Sequence, residues 1–172
     1  ILRCLVGSEM CIRDRPHINS IAIPIVENQT SEFGISESVT ENLLNIFSKE
    51  NILKITDEED ATSILRGKIV RITDAPYTFT KEEAVTEYRF TVQMSLEWFD
   101  VKNEKNLLKR TFSGWGAYGL SGDISSDGID NDGDGLIDGD DDNEFGDPRQ
   151  FATKVAIEKI AEDVLNEIMT TW

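Results

Sequence analysis

Cysteine and histidine are scarce in this 172-residue chain, and long apolar runs are missing. Both cysteines, Cys4 and Cys11, lie within the first fifteen residues. Disulfide bonds therefore cannot cross-link the rest of the chain, and its lack of cysteine indicates no redox compartment. The single histidine, His17, lies next to the same segment, which leaves no basis for a histidine-dependent triad or zinc site. No apolar run approaches the roughly 20 residues that span a bilayer.

Basic residues are also in deficit, with 17 Lys and Arg against 33 Asp and Glu and a formal net charge of −16. The deficit is local, because positions 121–147 hold eleven of the acids and no base, and 22 acids face 17 bases elsewhere. No basic stripe with interleaved aromatic residues is present. Nucleic acid is therefore not expected as a partner, since phosphate contacts require a surplus of Lys and Arg.

The first fifteen residues differ in character from the rest of the chain. They show no helical or strand periodicity, and positions 7–15, GSEMCIRDR, resemble adapter-derived read-through at the end of a translated fragment. We expect 1–15 to be a non-native artefact, with a native signal peptide and lipid-anchor cysteine missing; the alternative is a genuine N-terminal arm. The remaining 16–172 are expected to form a single domain.

Apolar periodicity predicts the element order β-α-β-β-β-β-α. The clearest strand is 85–99, where apolar residues at even positions alternate with polar residues at odd positions, so that one face is buried and the other wet. Pro24 cannot donate a ladder hydrogen bond, which predicts an edge position or a free N–H site for the first strand. The remaining expected elements are strands over 18–25, 52–55, 64–72 and 107–118, one helix capped by Ser36, and one capped by Asp147-Pro148.

These elements predict an α+β fold, a two-layer sandwich with two helices packed on one face of a mostly antiparallel four- to five-stranded sheet. Tyr88, Trp98 and Trp115 are expected to be core or sheet-face residues rather than a ligand platform. Paired acids such as Glu82-Glu83 are explained as solvated turns rather than as a general acid and base. The sequence therefore predicts a protein that is not an enzyme.

Residues 130–141, DNDGDGLIDGDD, match the pattern of a calcium-binding loop. Calcium takes six to eight oxygen ligands, and Gly135 stands at the sixth position, where the loop turns sharply. An aspartate closes the loop where the strongest sites use glutamate, so we expect weak Ca²⁺ affinity, about 10⁻⁴–10⁻³ M. The expected ligands are Asp130, Asp132, Asp134, the backbone carbonyl of Leu136, Asp138 and Asp141.

This loop resembles the single loops of dockerin and thrombospondin type-3 repeats, which implies a structural role for the ion. Residues 121–147 are accordingly expected to form an acidic calcium-binding insert in the domain. The alternative is a solvated acidic linker, because runs of acids are usually disordered and self-repelling.

The segment 21–30, IAIPIVENQT, together with the element order, resembles the LptE family of lipopolysaccharide-assembly lipoproteins. Further matching segments are Asp60-Ala61, 65–69, 85–89 and a final helix that ends in Trp172, and the resemblance covers 18–119 and 147–172. It implies a non-enzymatic lipoprotein at the periplasmic face of the outer membrane. Its implied partners are an LptD β-barrel, whose lumen it plugs, and lipopolysaccharide.

The resemblance implies a steric and electrostatic mechanism. Arg66, Lys68 and Arg71 are the bases expected, from their charge, to meet lipid phosphates. The calcium insert could stiffen its loop or bridge to anionic lipopolysaccharide through the ion. Two alternatives stay open, a periplasmic scaffold lipoprotein of another envelope machine and a secreted calcium-stabilised surface module.

Overall fold

The computed structural model describes residues 15–119, 128, 130, 135–137 and 147–171. Within these ranges the chain forms six strands and two helices, and two short strands precede the first helix. No described helix has the length and apolar character needed to cross a membrane. The elements are β1 (Ser20–Ala22), β2 (Glu27–Asn28), α1 (Ile35–Glu50), β3 (Lys54–Ile55), β4 (Ser63–Phe79), β5 (Val85–Asp100), β6 (Lys105–Gly119) and α2 (Pro148–Thr171).

The strands form one six-stranded sheet in the order β3-β1-β4-β5-β6, with β2 also paired to β4. β4, β5 and β6 are antiparallel, whereas β1 pairs in parallel with both β3 and β4, and β2 pairs in parallel with β4. The prediction of a mostly antiparallel sheet with four to five strands was therefore wrong, because the sheet is mixed. The cause is α1, which follows β1 and β2 and returns the chain so that β3 runs in the same direction as β1.

The first strand is shorter than predicted and is not at an edge. β1 lies between β3 and β4 and ends at Ala22, two residues before Pro24. Pro24 thus lies outside the ladder, where its missing N–H breaks no strand pairing. The proline limits the length of the strand rather than its place in the sheet.

Both helices belong to one layer, as predicted, and the core lies between that layer and the sheet. The even positions of β5 from Phe90 to Trp98 are fully buried in a cluster that also contains Leu43 and Phe47 of α1 and Ile160 of α2. Alternation along β5 therefore decided which sheet face is covered.

The two helices begin in different ways. No side chain caps α1, since Gly34 precedes it in the left-handed region with φ 76°, and the predicted cap Ser36 lies inside the first turn. The prediction for Ser36 was wrong because Gly34 supplies the turn directly. For α2 the predicted cap is confirmed, since the backbone N–H of Gln150 donates to Asp147 Oδ1 at 2.9 Å.

Candidate functional site

The sheet face opposite the helices is uncovered in the described part of the chain. We call it the open face: the odd-numbered residues of β5 from Glu87 to Glu97, with their cross-strand partners on β4 and β6. It is polar, as the alternation along β5 predicts. It is the one broad sheet surface on which the three predicted bases, Arg66, Lys68 and Arg71, can act together.

A β-bulge in β4 brings those three bases to the same face. Arg66 is opposite Glu97, Lys68 is opposite Ser95 and Arg71 is opposite Gln93, with a register shift between Ile69 and Arg71. In a regular strand, residues three apart point to opposite faces, so Lys68 and Arg71 would be separated. The extra residue at position 70 restores the phase and turns Arg71 to the open face.

The three bases differ in their charge partners. Arg66 lies 3.7 Å from Glu58, and Lys68 lies 3.1 Å from Glu27. Both pairs are well exposed, so each contributes little stability and can exchange its partner easily. Arg71 has no carboxylate within 4.0 Å among the described residues, and it is exposed. Arg71 is therefore the base most available to an anionic ligand.

Tyr77, Arg89 and Trp115 lie towards the other end of the open face, and Lys159 of α2 reaches the ring of Trp115 from the helix layer. We call these four residues the aromatic–cation cluster. The Arg89 guanidinium carbon lies 3.8 Å from the Tyr77 ring centroid and 4.1 Å from that of Trp115. Lys159, on α2, places its Nζ 4.8 Å from the Trp115 centroid. Tyr77 is 43% exposed and Trp115 37% exposed, so both rings keep surface open to solvent.

Of the three aromatic residues assigned to the core or a sheet face, Trp98 is fully buried and Trp115 lies on the open face. Tyr88 stacks on Tyr118 with centroids 5.8 Å apart. Trp115 differs from the other two because its ring meets two cations and remains partly exposed. It is thus a surface aromatic rather than a packing residue alone.

Arg149 bridges three elements on the helix side of the sheet. Its Nη1 and Nη2 donate to the two carboxylate oxygens of Glu32 at 2.9 and 3.1 Å, and its Nε donates to Asp74 at 2.8 Å. Tyr118 donates its hydroxyl to the same Asp74 at 2.7 Å. The guanidinium also lies 4.8 Å from the ring centroid of Phe90.

These contacts shift the titration of the groups around Arg149. The hydrogen bond from Arg149 is the largest cause that lowers the pKa of Glu32, and Glu32 in turn raises the pKa of Arg149. Burial, followed by the neighbouring Asp74, raises the pKa of Tyr118. Arg149 is therefore saturated by protein partners, and its role is to hold the domain together.

His17 has a structural role as well. Its Nε2 lies 2.7 Å from Asp100 Oδ2, and Asn103 Nδ2 donates to the same oxygen at 2.8 Å. Asp100 Oδ1 accepts from the backbone N–H of Lys102 at 3.0 Å and of Asn103 at 3.2 Å. The histidine ties the segment before β1 to the β5–β6 turn.

The predicted calcium loop is described only in part. Gly135 has φ 96°, in the left-handed region, and its N–H donates to Asp130 Oδ2 at 3.0 Å. Leu136 is exposed. The other expected ligands lie outside the described residues: Asp132, Asp134, Asp138 and Asp141. Within the described ranges, no three metal-binding side chains converge, and the calcium site stays a prediction.

A cleft of about 500 Å³ lies between the first turns of α1 and α2. The two cations that line it are already paired, since Arg149 binds Glu32 and Lys154 lies 3.9 Å from Glu158. It offers no unpaired cation to a ligand among the lining residues named here. The open face is the better candidate surface.

Sequence reasoning missed Arg89, Lys159 and Arg149. The cues for Arg89 were its odd position in the strand, which predicted a wet face, and its place in the matching segment 85–89, and neither predicted its neighbours. Lys159 is 44 residues from Trp115 along the chain, and no spacing rule relates a helix to a strand at that separation. Only the packing of α2 against β6 brings them together.

Comparison with known proteins gives one family and several similar folds. The family model described as "LptE: Lipopolysaccharide-assembly" matches residues 18–171. No curated protein matches the chain.

Three solved structures share the fold. A protein from Xanthomonas campestris has a TM-score of 0.58 at 8% identity, covering 91% of this chain and 87% of its own. A hypothetical protein from Chlamydia trachomatis has a TM-score of 0.54 at 9% identity, covering 88% and 95%. A minor lipoprotein from Acinetobacter baumannii has a TM-score of 0.52 at 11% identity, covering 88% and 93%. At these identities the likeness concerns the fold alone.

Proposed function

We propose, since this chain belongs to the LptE family of lipopolysaccharide assembly, that it is a non-enzymatic lipoprotein that plugs and supports an LptD β-barrel during lipopolysaccharide delivery. The observation that carries the proposal is the family match over 18–171, which spans both layers of the domain. The expected location is the periplasmic face of the outer membrane.

The mechanism is steric and electrostatic. A compact two-layer domain can fill the lumen of a barrel, and it needs no chemistry to do so. The open face offers Arg66, Lys68 and Arg71 on one surface, with Arg71 free of a described carboxylate partner. Lipid phosphates are anions that such bases attract.

Calcium is part of the proposal as a structural ion. We assign it to the loop 130–141, with the ligands expected from the sequence pattern. The hydrogen bond from Gly135 to Asp130 supports a folded turn at this point of the loop. The ion would lower the negative charge of the insert between β6 and α2 and stiffen that connection.

Co-purification tests the barrel role. Tagged protein co-expressed with an LptD barrel should recover the barrel in a stoichiometric complex after solubilisation of the outer membrane. A control variant that carries both Arg149→Gln and Asp100→Asn loses the ion pairs of Arg149 and the charged acceptor at Asp100. It reports whether recovery of the barrel depends on a folded domain. Recovery of a different envelope complex without LptD would favour the scaffold alternative, and release of the protein into the medium would favour the surface module.

A further inference from the structure

We propose that the aromatic–cation cluster is a binding site for an anionic saccharide, a sugar that carries a phosphate or carboxylate group. This inference deepens the proposed function and rests on it for the natural source of the sugar. The site itself is defined by Tyr77, Arg89, Trp115 and Lys159, which are separate from the three bases Arg66, Lys68 and Arg71.

The first observation is an unbalanced pair of positive charges. Arg89 and Lys159 both contact the ring of Trp115, so their charges lie within about 9 Å of each other, close to one Debye length at physiological ionic strength. Neither has a carboxylate within 4.0 Å among the described residues, although the chain holds 33 acids against 17 bases. Two neighbouring cations with no counter-ion in the described part of the chain favour binding of an anion.

Nearby acids do not fill this role. Glu87, two residues before Arg89 on the same face, accepts a hydrogen bond from Thr78 at 2.9 Å. Glu162 and Asp163 follow Lys159 by about one turn of α2, yet neither comes within ion-pair distance of it. Arg89 Nε is buried and has no hydrogen-bond partner among the described residues. The rings, rather than acceptors, hold this guanidinium.

The second observation is the shape and chemistry around the two cations. Ala75 and Ala117 are the cross-strand partners of Arg89, and these small side chains leave room for the guanidinium to lie against the rings. The partly exposed rings of Tyr77 and Trp115 offer apolar surface. A sugar ring has apolar C–H faces that can pack on such surfaces.

The third observation is a row of hydroxyl groups beside the tryptophan. Thr73, Thr91 and Trp115 are in register across β4, β5 and β6 on the open face. Neither threonine hydroxyl has a hydrogen-bond partner among the described residues, and both side chains are partly exposed. A hydroxyl can both donate and accept, which suits the hydroxyl groups of a sugar. Cations, aromatic surface and free hydroxyls thus occur together.

The test uses glucose 6-phosphate as the probe, with glucose and inorganic phosphate as its two halves. Binding to the full chain is followed by two-dimensional NMR of the indole N–H of Trp115, which the variant Trp115→Phe identifies. We expect saturable binding of glucose 6-phosphate that is at least about tenfold tighter than that of either half. The assay contains neither barrel nor lipopolysaccharide, so its failure and the failure of the proposed function can be told apart.

Matched variants locate the site. Arg89→Gln and Lys159→Gln should each weaken glucose 6-phosphate binding about tenfold, while Lys154→Gln, on the same helix and paired with Glu158, should leave it unchanged. Urea unfolding of each variant shows whether the fold survives, and Lys159→Gln is the test variant if Arg89→Gln unfolds. The proposal would be overturned if binding does not saturate, if Lys154→Gln weakens binding as much as the test variants do, or if binding persists in Lys159→Gln. Equal affinity for inorganic phosphate would overturn its saccharide part.

Discussion

Asp100 shows how a single charged residue can be buried at little cost. Its side chain is 2% exposed, so burial alone raises its pKa, yet hydrogen bonds from His17 and Asn103 outweigh burial and hold that pKa below the usual value. The lowered pKa means that the folded state favours the charged carboxylate. The residue is therefore a source of pH-dependent stability.

Replacing Asp100 by asparagine should lower the free energy of unfolding by about 2 kcal/mol at neutral pH, because buried donors lose a charged acceptor. A group with a lowered folded pKa contributes its stability above the unfolded pKa, about 3.9 for aspartate, and loses it as the pH falls through the folded pKa. Urea unfolding between pH 7 and pH 3 should thus show the two proteins converging at acid pH.

The matched control for this experiment is Glu97→Gln, which removes the same charge from the same strand. Glu97 forms an exposed ion pair with Lys109, so its loss should change stability by less than about 1 kcal/mol. A difference between wild type and Asp100→Asn that is the same at every pH would contradict the assignment of Asp100.

Calcium binding is also a prediction at the scale of single residues. Calorimetric titration of chelator-treated protein should give a dissociation constant of about 10⁻⁴–10⁻³ M and a calcium-dependent rise in Tm. Asp130→Ala and Asp134→Ala should abolish both effects, whereas Glu144→Ala, in the same insert but outside the loop, should not. Absence of binding at millimolar calcium would make 121–147 a solvated acidic linker.

At the scale of elements, the contact between β6 and α2 depends on two glycines. A methyl group at position 114 or 116 would overlap the backbone carbonyl of Ala156 or Ala152, respectively. Both glycines face the helix layer, opposite Val92 and Phe90 of β5. Small residues on both elements let the helix backbone lie directly on the strand.

Gly116→Ala should therefore destabilise the domain. Alanine restricts the unfolded chain, and this effect alone would stabilise the folded domain by about 0.4–1 kcal/mol. A buried overlap with the backbone costs about 1–3 kcal/mol or more, so the clash dominates. Urea unfolding should give a lower midpoint at an unchanged slope. Ser113→Ala, on the open face of the same strand, should stay within about 0.5 kcal/mol of wild type, and equal midpoints for both variants would contradict the packing argument.

At the scale of the whole molecule, the described part of the chain separates its surface charges by layer. The open face carries more bases than acids, whereas the second half of α2 carries a run of acids. An anionic partner should therefore approach the sheet rather than the helices. The open-face bases are Arg66, Lys68, Arg71, Arg89 and Lys109, and the acids on this face or paired with its bases are Glu27, Glu58, Glu87 and Glu97. The acids of α2 are Glu158, Glu162, Asp163 and Glu167, and its bases, Arg149, Lys154 and Lys159, all lie in the first half of the helix.

Reversing one charge on each layer tests this polarity. Arg71→Glu should weaken binding to lipopolysaccharide about thirtyfold, since each base near an anionic surface contributes about 1 kcal/mol and reversal counts twice, about 2 kcal/mol in all. Lys49→Glu changes the net charge equally on exposed α1 and should have little effect. Binding is measured by tryptophan fluorescence at 0.05 and 0.5 M salt. The difference in affinity between the two variants should be smaller at the higher salt concentration, because salt screens the charges. Equal affinities of the two variants at low salt would contradict the polarity.

The sequence by itself determined the local elements and the sides of the sheet. Alternation in 85–99 predicted β5 and its wet face, Asp147-Pro148 predicted the start of α2, and both follow from side-chain period and capping, which are properties of neighbouring residues. The family resemblance, carried by short segments such as 21–30, was confirmed by the family match.

Only the tertiary structure decided what distant residues do together. The parallel pairing of β1 depends on the path of α1, and the shared face of Lys68 and Arg71 depends on a bulge. The cluster around Trp115 joins three strands to a helix. Local sequence encodes periodicity, whereas register and helix placement are chosen by competition among many long-range contacts. The candidate surface belongs to that second kind, because its charges and rings meet only after the sheet and α2 have packed.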